Sequence, residues 1–402
     1  MKILYISTVF PRPESSSTIY TDLAEALAEK GHDVVVVAAE EKKKYESGGI
    51  KEERGCKVLR VRVGNMYDVS LIEKGISVVT LAFYMKTAIK KELSKEHFDL
   101  ILFEAPPATL IGVVSYAKKM FKTPAYLMMK DIFPQNALDI GLMKKGIIYY
   151  YFRLKEKELY TQADMIGCMS EGNRQYIIKH NHVSEKKVDI FPNTKKIQVH
   201  KNTKNKNEIR NQYHIPCDKV VFIFGGNMGK PQGLPFLCKA INELQDSKEA
   251  YFVLVGRGTE KSYVEATLKN NNNVLILDNL PREEYEQLVQ ACDVGIVSLD
   301  YRFTIPNYPS RILSYMEYSM PVLATTDKNT DFKELIEVAG CGLWCCSECA
   351  QDFADSVKKM CADEEMRQQM GQNGRKYAEE NFRVEFSVEI LEKYDKLLIE
   401  SL

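Results

Sequence analysis

The sequence predicts an α/β protein made of two doubly wound, Rossmann-like domains in tandem. Three observations point there. Apolar strands alternate with amphipathic helices from the first residues onward. The alternation breaks in a polar, basic stretch near residue 200 and then restarts. The chain has 402 residues, too many for one ordinary core, so two domains of roughly 150–200 residues are expected.

The elements follow in order. "KILYIS" is a continuous apolar strand, followed by the loop "TVFPRPESSS" and the helical stretch "TIYTDLAEALAEKG". Gly31 closes that helix, and "HDVVVVAA" is the next strand. "KVLRVRV", "LILFEA", "AYLMMKD", "DMIGCMS" and "VDIFPN" continue the series. Strands that are apolar on both faces, separated by amphipathic helices, predict a parallel sheet covered on both sides. "TKKIQVHKNTKNKNEIR" has no period and reads as a linker. "VVFIFGG", "YFVLVGRG", "VLILDN", "DVGIVSL", "PVLATT" and "CGLWC" then supply a second set of strands, and the chain is helical from about 352 onward. The predicted domains are 1–200 and 201–382, with the last helix, about 383–402, returning to the first. Ligands of open parallel sheets bind beyond the carboxyl ends of the strands, so both domains should turn their strand-end loops toward a shared cleft.

Composition excludes several classes. Hydrophobic residues are 45%, charged residues 27% and the formal net charge is zero, so no nucleic-acid partner is expected. Residues 1–200 hold 31 Lys+Arg against 24 Asp+Glu, and residues 201–402 hold 24 against 31. The basic first half could meet an anionic membrane surface. "MKILYISTVF" lacks the apolar core of a signal peptide, and no stretch approaches ~20 apolar residues. Ten cysteines without a paired framework fit a reducing compartment, so a cytoplasmic location is expected. Cys341, Cys345, Cys346 and Cys349 cluster, but with no second cluster or histidine beside them they read as small buried residues around a strand end.

The chemistry centres on "FGGNMGKPQGL", Phe224 to Leu234. A nucleotide P-loop needs Gly-Lys followed by Ser or Thr, whereas Pro231 follows Lys230 here. The dinucleotide spacing Gly-x-Gly-x-x-Gly also fails. Small residues that let backbone approach an anion remain, with a helix beginning near Gly233 whose N–H groups would face it. Arg257 lies at the next strand end and Arg311 at another strand-to-helix junction, with Ser310 as candidate N-cap. Lys230, Arg257 and Arg311 thus come from loops on one sheet edge. Fixed cations there suit a diphosphate, because they stabilise charge developing on a leaving phosphate.

With these residues in hand, the sequence resembles glycosyltransferase family 4, the retaining nucleotide-sugar transferases of GT-B fold, in the branch of bacterial capsule, O-antigen and exopolysaccharide enzymes that includes amino-deoxysugar transferases. "FPRPESSSTIYTDLAEALAEKGHDVVVVAA", "MMKDIFPQNALDIGLM", "ADMIGCMSEG", "VDIFPN", "ACDVGIVSL" and "PSRILSYMEYSMPVLAT" are similar to family segments, and "FGGNMGKPQGL" is similar to a Gly-Asn-x-Gly-x-x-Gln-Gly signature of the branch. The resemblance implies an acceptor-binding first domain and a donor-binding second domain, with a terminal helix that crosses back. It implies a nucleotide-sugar substrate, UDP-linked and carrying an N-acetylated hexosamine or deoxyhexosamine, a lipid-linked glycan acceptor, and no cofactor or bound metal. Donor contacts would come from Gly226, Asn227, Gly229, Gln232, Gly233, Arg257, Ser310 and Ser314, from Glu334 on the sugar, and from Asn279 and Leu280 near the base. Ser16, Ser17 and Glu104 would lie on the acceptor side. Asp131, Lys230 and Arg311 would act in catalysis, the protein supplying orientation and electrostatics while the donor phosphate helps deprotonate the acceptor.

The sequence departs from the family pattern in places. The positions of a common Glu-x7-Glu pair hold Pro306 and Ser314, and Glu317 falls one helical turn later. The usual cation pair of the first loop of the second domain becomes Gly226 or Asn227 and Gln232, with Lys230 and Arg257 as replacements. These changes leave two alternatives open: a UDP-sugar 2-epimerase of the same fold, disfavoured by only six histidines, and an inactive binding protein. "SVVTLAFYMKTAIKKELSK" and "LMKKGIIYYYFRLKEKELY" mix apolar, aromatic and basic residues as interfacial helices do. The first reads more as a helix packed on the sheet. The second, with Tyr149, Tyr150, Tyr151 and Phe152, reads as a surface for a membrane.

Overall fold

The computed structural model describes residues 1–15, 17–66, 69–198 and 205–400. The chain divides into two compact units, one of residues 1–196 with 383–402 and one of residues 197–382.

In the first unit the chain runs β1 (Lys2–Ser7), α1 (Ile19–Glu29), β2 (Asp33–Glu41), β3 (Ile50–Glu53), β4 (Cys56–Val63), α2 (Leu71–Glu92), β5 (Leu100–Ala105), α3 (Ile111–Phe121), β6 (Ala125–Met129), α4 (Gln135–Asp139), α5 (Ile147–Gln162), β7 (Met165–Cys168), α6 (Glu171–Asn181) and β8 (Val188–Ile190). The sheet order is β3-β4-β2-β1-β5-β6-β7-β8. The pairings are parallel except β3 with β4. That hairpin has no apolar signature, since Lys51 and Glu52 are exposed. Its turn is what makes it: Arg54 and Gly55 both have positive φ, 56° and 74°, the geometry that matches the twist of paired strands. The order reverses between β1 and β5, so their carboxyl ends flank the switch point.

Helix α1 starts in a capping box, with the hydroxyl of Thr18 accepting from the N–H of Thr21 and that of Thr21 accepting from the N–H of Thr18. Its Leu23, Ala24 and Leu27 join Tyr5, Leu102, Tyr126 and Phe191 in a core on one face of the sheet.

In the second unit come α7 (Lys206–Gln212), β9 (Val220–Asn227), α8 (Leu234–Asn242), β10 (Ala250–Arg257), α9 (Lys261–Leu268), β11 (Val274–Leu277), α10 (Arg282–Gln290), β12 (Val294–Ser298), α11 (Arg311–Glu317), β13 (Val322–Thr326), α12 (Phe332–Ala339), β14 (Gly342–Cys346), α13 (Ala350–Ala362) and α14 (Glu364–Asn381). The sheet order β11-β10-β9-β12-β13-β14 is parallel throughout its pairings, with a switch point between β9 and β12. Phe222 and Phe252 stack beneath α8 and α13 at the centre of its core.

The last helix, α15 (Val384–Glu400), belongs to the first unit. Val388 and Leu391 are buried there, and the Tyr394 ring meets Tyr126 edge-on.

One stretch read as linker is structured. Residues 206–212 form α7, where Asn205 accepts from the N–H of Asn207. Arg210 is buried and donates to the Asp293 carboxylate at 2.5 Å. An Asx cap and one buried ion pair outweigh the polar composition. Residues 199–204 lie outside the described residues.

Candidate functional site

In the second unit the predicted donor residues fall on the carboxyl edge of successive strands. β9 and β10 remain paired to their last residues, Asn227 opposite Arg257 and Gly226 opposite Gly256. This close pairing needs glycine. Gly256 has φ +152°, and a Cβ there would lie 1.9 Å from the Gly226 carbonyl oxygen. After β9 the chain makes a single 3₁₀ turn, Lys230–Gln232. Gly233, at φ +58°, then opens α8 with no side-chain cap. A Cβ on Gly233 would press within 2.9 Å of the Leu299 carbonyl oxygen. Of the first turn of α8, Pro235 has no N–H and the N–H groups of Phe236 and Leu237 donate to the Gly233 carbonyl, which leaves the Leu234 N–H as the donor at the switch point with no capping side chain.

Arg311 completes this corner. It is the first residue of α11, after the long loop that follows β12. Its guanidinium lies over the Phe224 ring, 4.3 Å from the centroid, and Nη1 donates to Oε1 of Gln232 at 3.0 Å. Gln232 is itself tied down, its carbonyl accepting from the Ser298 hydroxyl at 2.7 Å. A Cβ on Gly226 would sit 3.1 Å from Arg311 Nη2, so the side chain lies directly over the β9 turn. No carboxylate pairs with Arg311 among the described residues. Stacking and one amide bond hold it in place without neutralising it.

The structure thus brings Gly226, Gln232, Gly233 and Arg311 together. Lys230 and Arg257 lie on the same edge, both exposed and without a side-chain partner among the described residues. Asn227 is exposed and Gly229 buried within the turn. Asn279 and Leu280 follow the edge strand β11, with the Asn279 amide donating to the Leu280 carbonyl at 3.4 Å. Ser314 is half-buried in α11 and Glu334 is exposed on α12, after β13. Ser310 does not act as a side-chain cap. It has helical φ and ψ, −64° and −13°, and its hydroxyl makes no capping bond, because α11 grows out of a turn rather than from an extended residue. Glu317 is buried and accepts from the N–H of Gln198 at 3.0 Å, within the unit. Sequence reasoning missed Phe224 and Ser298. The alternation of β9 hides that Phe224 supports a cation supplied some 90 residues later, whereas Ser298, a hydroxyl closing an apolar strand, was visible.

The first unit gathers a second polar group on the carboxyl ends of β1, β5 and β6. Glu104 is 1% exposed. Its Oε1 accepts from the Thr8 N–H at 2.7 Å and the Ser7 hydroxyl at 3.0 Å, while Oε2 is buried without a partner. Burial pushes its carboxyl up to about 7 against these bonds. Asp131 Oδ2 accepts from the Asn136 amide at 2.5 Å, and Oδ1 is buried without a partner. Burial raises this carboxyl to about 6. Between them in sequence, Lys130 is pushed down to about 7, again by burial. Ser17 precedes the Thr18 cap of α1 and is half-buried, and Ser16 lies outside the described residues. Among the described residues no three His, Cys, Asp or Glu side chains are placed to hold a metal ion. Cys341, Cys345 and Cys346 are buried and Cys349 half-buried, none in a disulfide.

Both halves of the chain have known relatives. The family described as Glycosyltransferase Family 4 matches residues 16–194, and Glycosyl transferases group 1 matches residues 205–377. The capsular polysaccharide biosynthesis glycosyltransferase CapM of Staphylococcus aureus is 25% identical over 319 residues, 76% of this chain and 79% of CapM. Among solved structures, sucrose-phosphate synthase from Thermosynechococcus elongatus shares the fold with a TM-score of 0.76, at 17% identity and 100% coverage of both chains. Anabaena Alr3699/HepE in complex with UDP and glucose does so with a TM-score of 0.70, also at 17% identity and full coverage. With both domain families matched in order across most of its length, the chain belongs to the GT-B glycosyltransferases that join a family 4 domain to a group 1 domain.

Proposed function

We propose that this chain is a retaining glycosyltransferase of bacterial surface polysaccharide synthesis. It takes its sugar, an N-acetylated hexosamine or deoxyhexosamine, from a UDP-linked donor and delivers it to a lipid-linked oligosaccharide. One observation carries the reading: an uncompensated guanidinium, Arg311, fixed over a glycine-lined turn at the switch point where α8 begins. That is a diphosphate site in charge and in shape. CapM is named for capsular polysaccharide and HepE was solved with UDP, which supports both donor and pathway.

In this mechanism Arg311 and Lys230 neutralise the departing UDP, with Arg257 as a further cation. The backbone of Gly226, Asn227, Gly229 and Gly233 approaches the phosphates, and Gln232 orients Arg311. Asn279 and Leu280 border the base, Ser310 and Ser314 offer hydroxyls to the ribose, and Glu334 faces the sugar. Asp131, Glu104, Ser16 and Ser17 serve the acceptor. The reaction breaks the anomeric carbon–phosphate oxygen bond and forms the new glycosidic bond on the same face, the acceptor proton passing to the donor phosphate.

No helix among the described residues is long and apolar enough to cross a membrane. α2 and α5 nevertheless both pack on α3 and expose apolar side chains. Ile72, Ile76, Val79 and Phe83 recur along α2, with Phe83 67% exposed, and α5 exposes Ile147, Tyr150, Tyr151 and Leu154. α2 thus carries an outward stripe as well as its packed face of Leu81, Met85 and Ile89, and on α5 Tyr149 is buried, donating to Gln135. With Lys74, Lys144 and Lys145 beside them, these residues suit an anionic bilayer that presents a lipid-linked acceptor.

The test is incubation with UDP-sugars and lipid-linked glycans, read by UDP release and by NMR of the new anomeric centre. Transfer with retained configuration supports the reading. An epimer formed without acceptor supports the epimerase, and absence of nucleotide-sugar binding contradicts both.

A further inference from the structure

The polar cluster of the first unit holds a buried acceptor and a half-buried donor, neither with a partner among the described residues. Glu104 lies on β5 in register with Met128 of the adjacent parallel strand β6, and Lys130 directly follows β6, its N–H still donating to the Ala105 carbonyl at 2.9 Å. Lys130 is two residues beyond Met128 and so shares its face. That face is the one carrying Tyr5, Leu102, Tyr126, Met128 and Phe191 in the core, which places Glu104 and Lys130 together at its carboxyl rim. Oε2 of Glu104 is buried with no donor. Half-buried Lys130 has no ion pair or hydrogen bond from its ammonium among the described residues, and Nζ lies over the Phe191 ring, 5.2 Å from the centroid.

Buried polar groups are almost always satisfied, by protein, water or ligand. An acceptor that lacks a donor, beside a donor that lacks an acceptor, matches a neutral group able to do both. A sugar hydroxyl is such a group. We propose that Lys130 is a positioning residue that keeps Glu104 charged, so that the two together bind one hydroxyl of the sugar substrate, Glu104 accepting from it and Lys130 donating to it. This deepens the transferase reading and rests on it for the identity of the hydroxyl.

The surroundings leave the pair to itself. From β1 the face presents Tyr5 and Ser7, from β7 Gly167, from β8 the exposed Asp189 with Phe191 just beyond it, and from α15 Tyr394, while Tyr20 of α1 interacts with Tyr5 and Cys168, on the opposite face by register, interacts with Lys130. Burial holds Tyr5 well above its usual range and pushes Cys168 up to about 12, so both are neutral near pH 7. Asp131 lies on the opposite face by alternation. Within that ring Lys130 is the one cation facing Glu104, and burial works against the charged form of each. Their mutual attraction favours the charged form of each.

The experiment follows the carboxyl directly in the full chain labelled with ¹³Cδ-glutamate, with Glu104→Gln assigning the resonance. Wild-type Glu104 is expected to titrate near 7. In Lys130→Met the midpoint should rise by about one unit or more, and Lys130→Arg should bring it back. If Lys130→Met does not fold, the reciprocal measurement decides: Glu104→Gln should lower the Lys130 midpoint, read on ¹³Cε-lysine. An unmoved Glu104 midpoint in Lys130→Met, or an unmoved Lys130 midpoint in Glu104→Gln, overturns the inference. UDP affinity, measured in parallel by calorimetry, should be unchanged in Lys130→Met. Wild-type protein that binds no UDP would instead defeat the transferase reading and leave the titration result standing.

Discussion

Arg311 shows how a single residue is prepared for an anion. Phe224 supplies a flat support, Gln232 a single hydrogen bond, and no carboxylate cancels the charge. Arg311→Ala should therefore weaken UDP binding about 10- to 100-fold, roughly 1.4–2.8 kcal/mol, as read by calorimetry. Arg311→Lys should not restore it, because a point ammonium neither stacks on Phe224 nor keeps the planar fork. Glu104 gives a second residue-scale prediction. Its carboxyl is raised in the folded protein from 4.5 to about 7, so the folded state holds its proton longer than the unfolded state. That stabilises the folded form at low pH relative to neutral pH, and stability falls as pH rises from about 4.5 through 7. Glu104→Gln removes the effect while keeping an oxygen for Thr8 and Ser7. It should raise the melting temperature at pH 8, corresponding to up to roughly 3 kcal/mol, and the advantage should vanish at pH 4. At this scale the cations were legible in the sequence because charges stand out at strand ends. Lys130 was not, because nothing in "MMKD" reveals that its ammonium turns over the Phe191 ring.

At the scale of elements, the parallel strands were legible because they are buried on both faces and so read as unbroken apolar runs. The β3–β4 hairpin was not, because its strand is polar and its signal is two positive-φ residues, one of them Arg54. α7 was hidden by a composition that a cap and the Arg210–Asp293 pair overrode. Two predictions belong here. Gly256→Ala should lower the melting temperature and abolish UDP binding, because its Cβ would collide with the Gly226 carbonyl and pry β10 from β9. Leu391→Ala should cost about 2–5 kcal/mol, measured as a shift in the urea midpoint of the first unit, since Leu391 is fully buried where α15 closes that core.

At the scale of the whole molecule, two open parallel sheets each direct polar residues to their carboxyl edges, and each edge has a distinct chemical character. The second unit offers cations around a glycine-lined turn. The first offers carboxylates whose pKa is raised by burial and one half-buried lysine. This division suits a donor with a charged leaving group and an acceptor with hydroxyls. The outward apolar side chains of α2 and α5 add a third surface. Phe83→Ser with Ile147→Ser should reduce flotation with vesicles containing anionic lipid several-fold, while neutral vesicles show little binding of either protein. The order of domains was legible from the restart of the strand–helix alternation. Which apolar helix residues face outward was not, because α2 carries apolar residues on two sides.

In the proposed function, the corner built by Gly226, Gln232, Gly233 and Arg311 binds the diphosphate of a nucleotide-sugar donor. Isothermal calorimetry of UDP with the full chain and with Arg311→Ala tests it most directly. Saturable one-to-one binding by the wild type that weakens at least about 10-fold in the variant is the predicted result. Absence of binding by the wild type, or equal affinity in the two proteins, would contradict it.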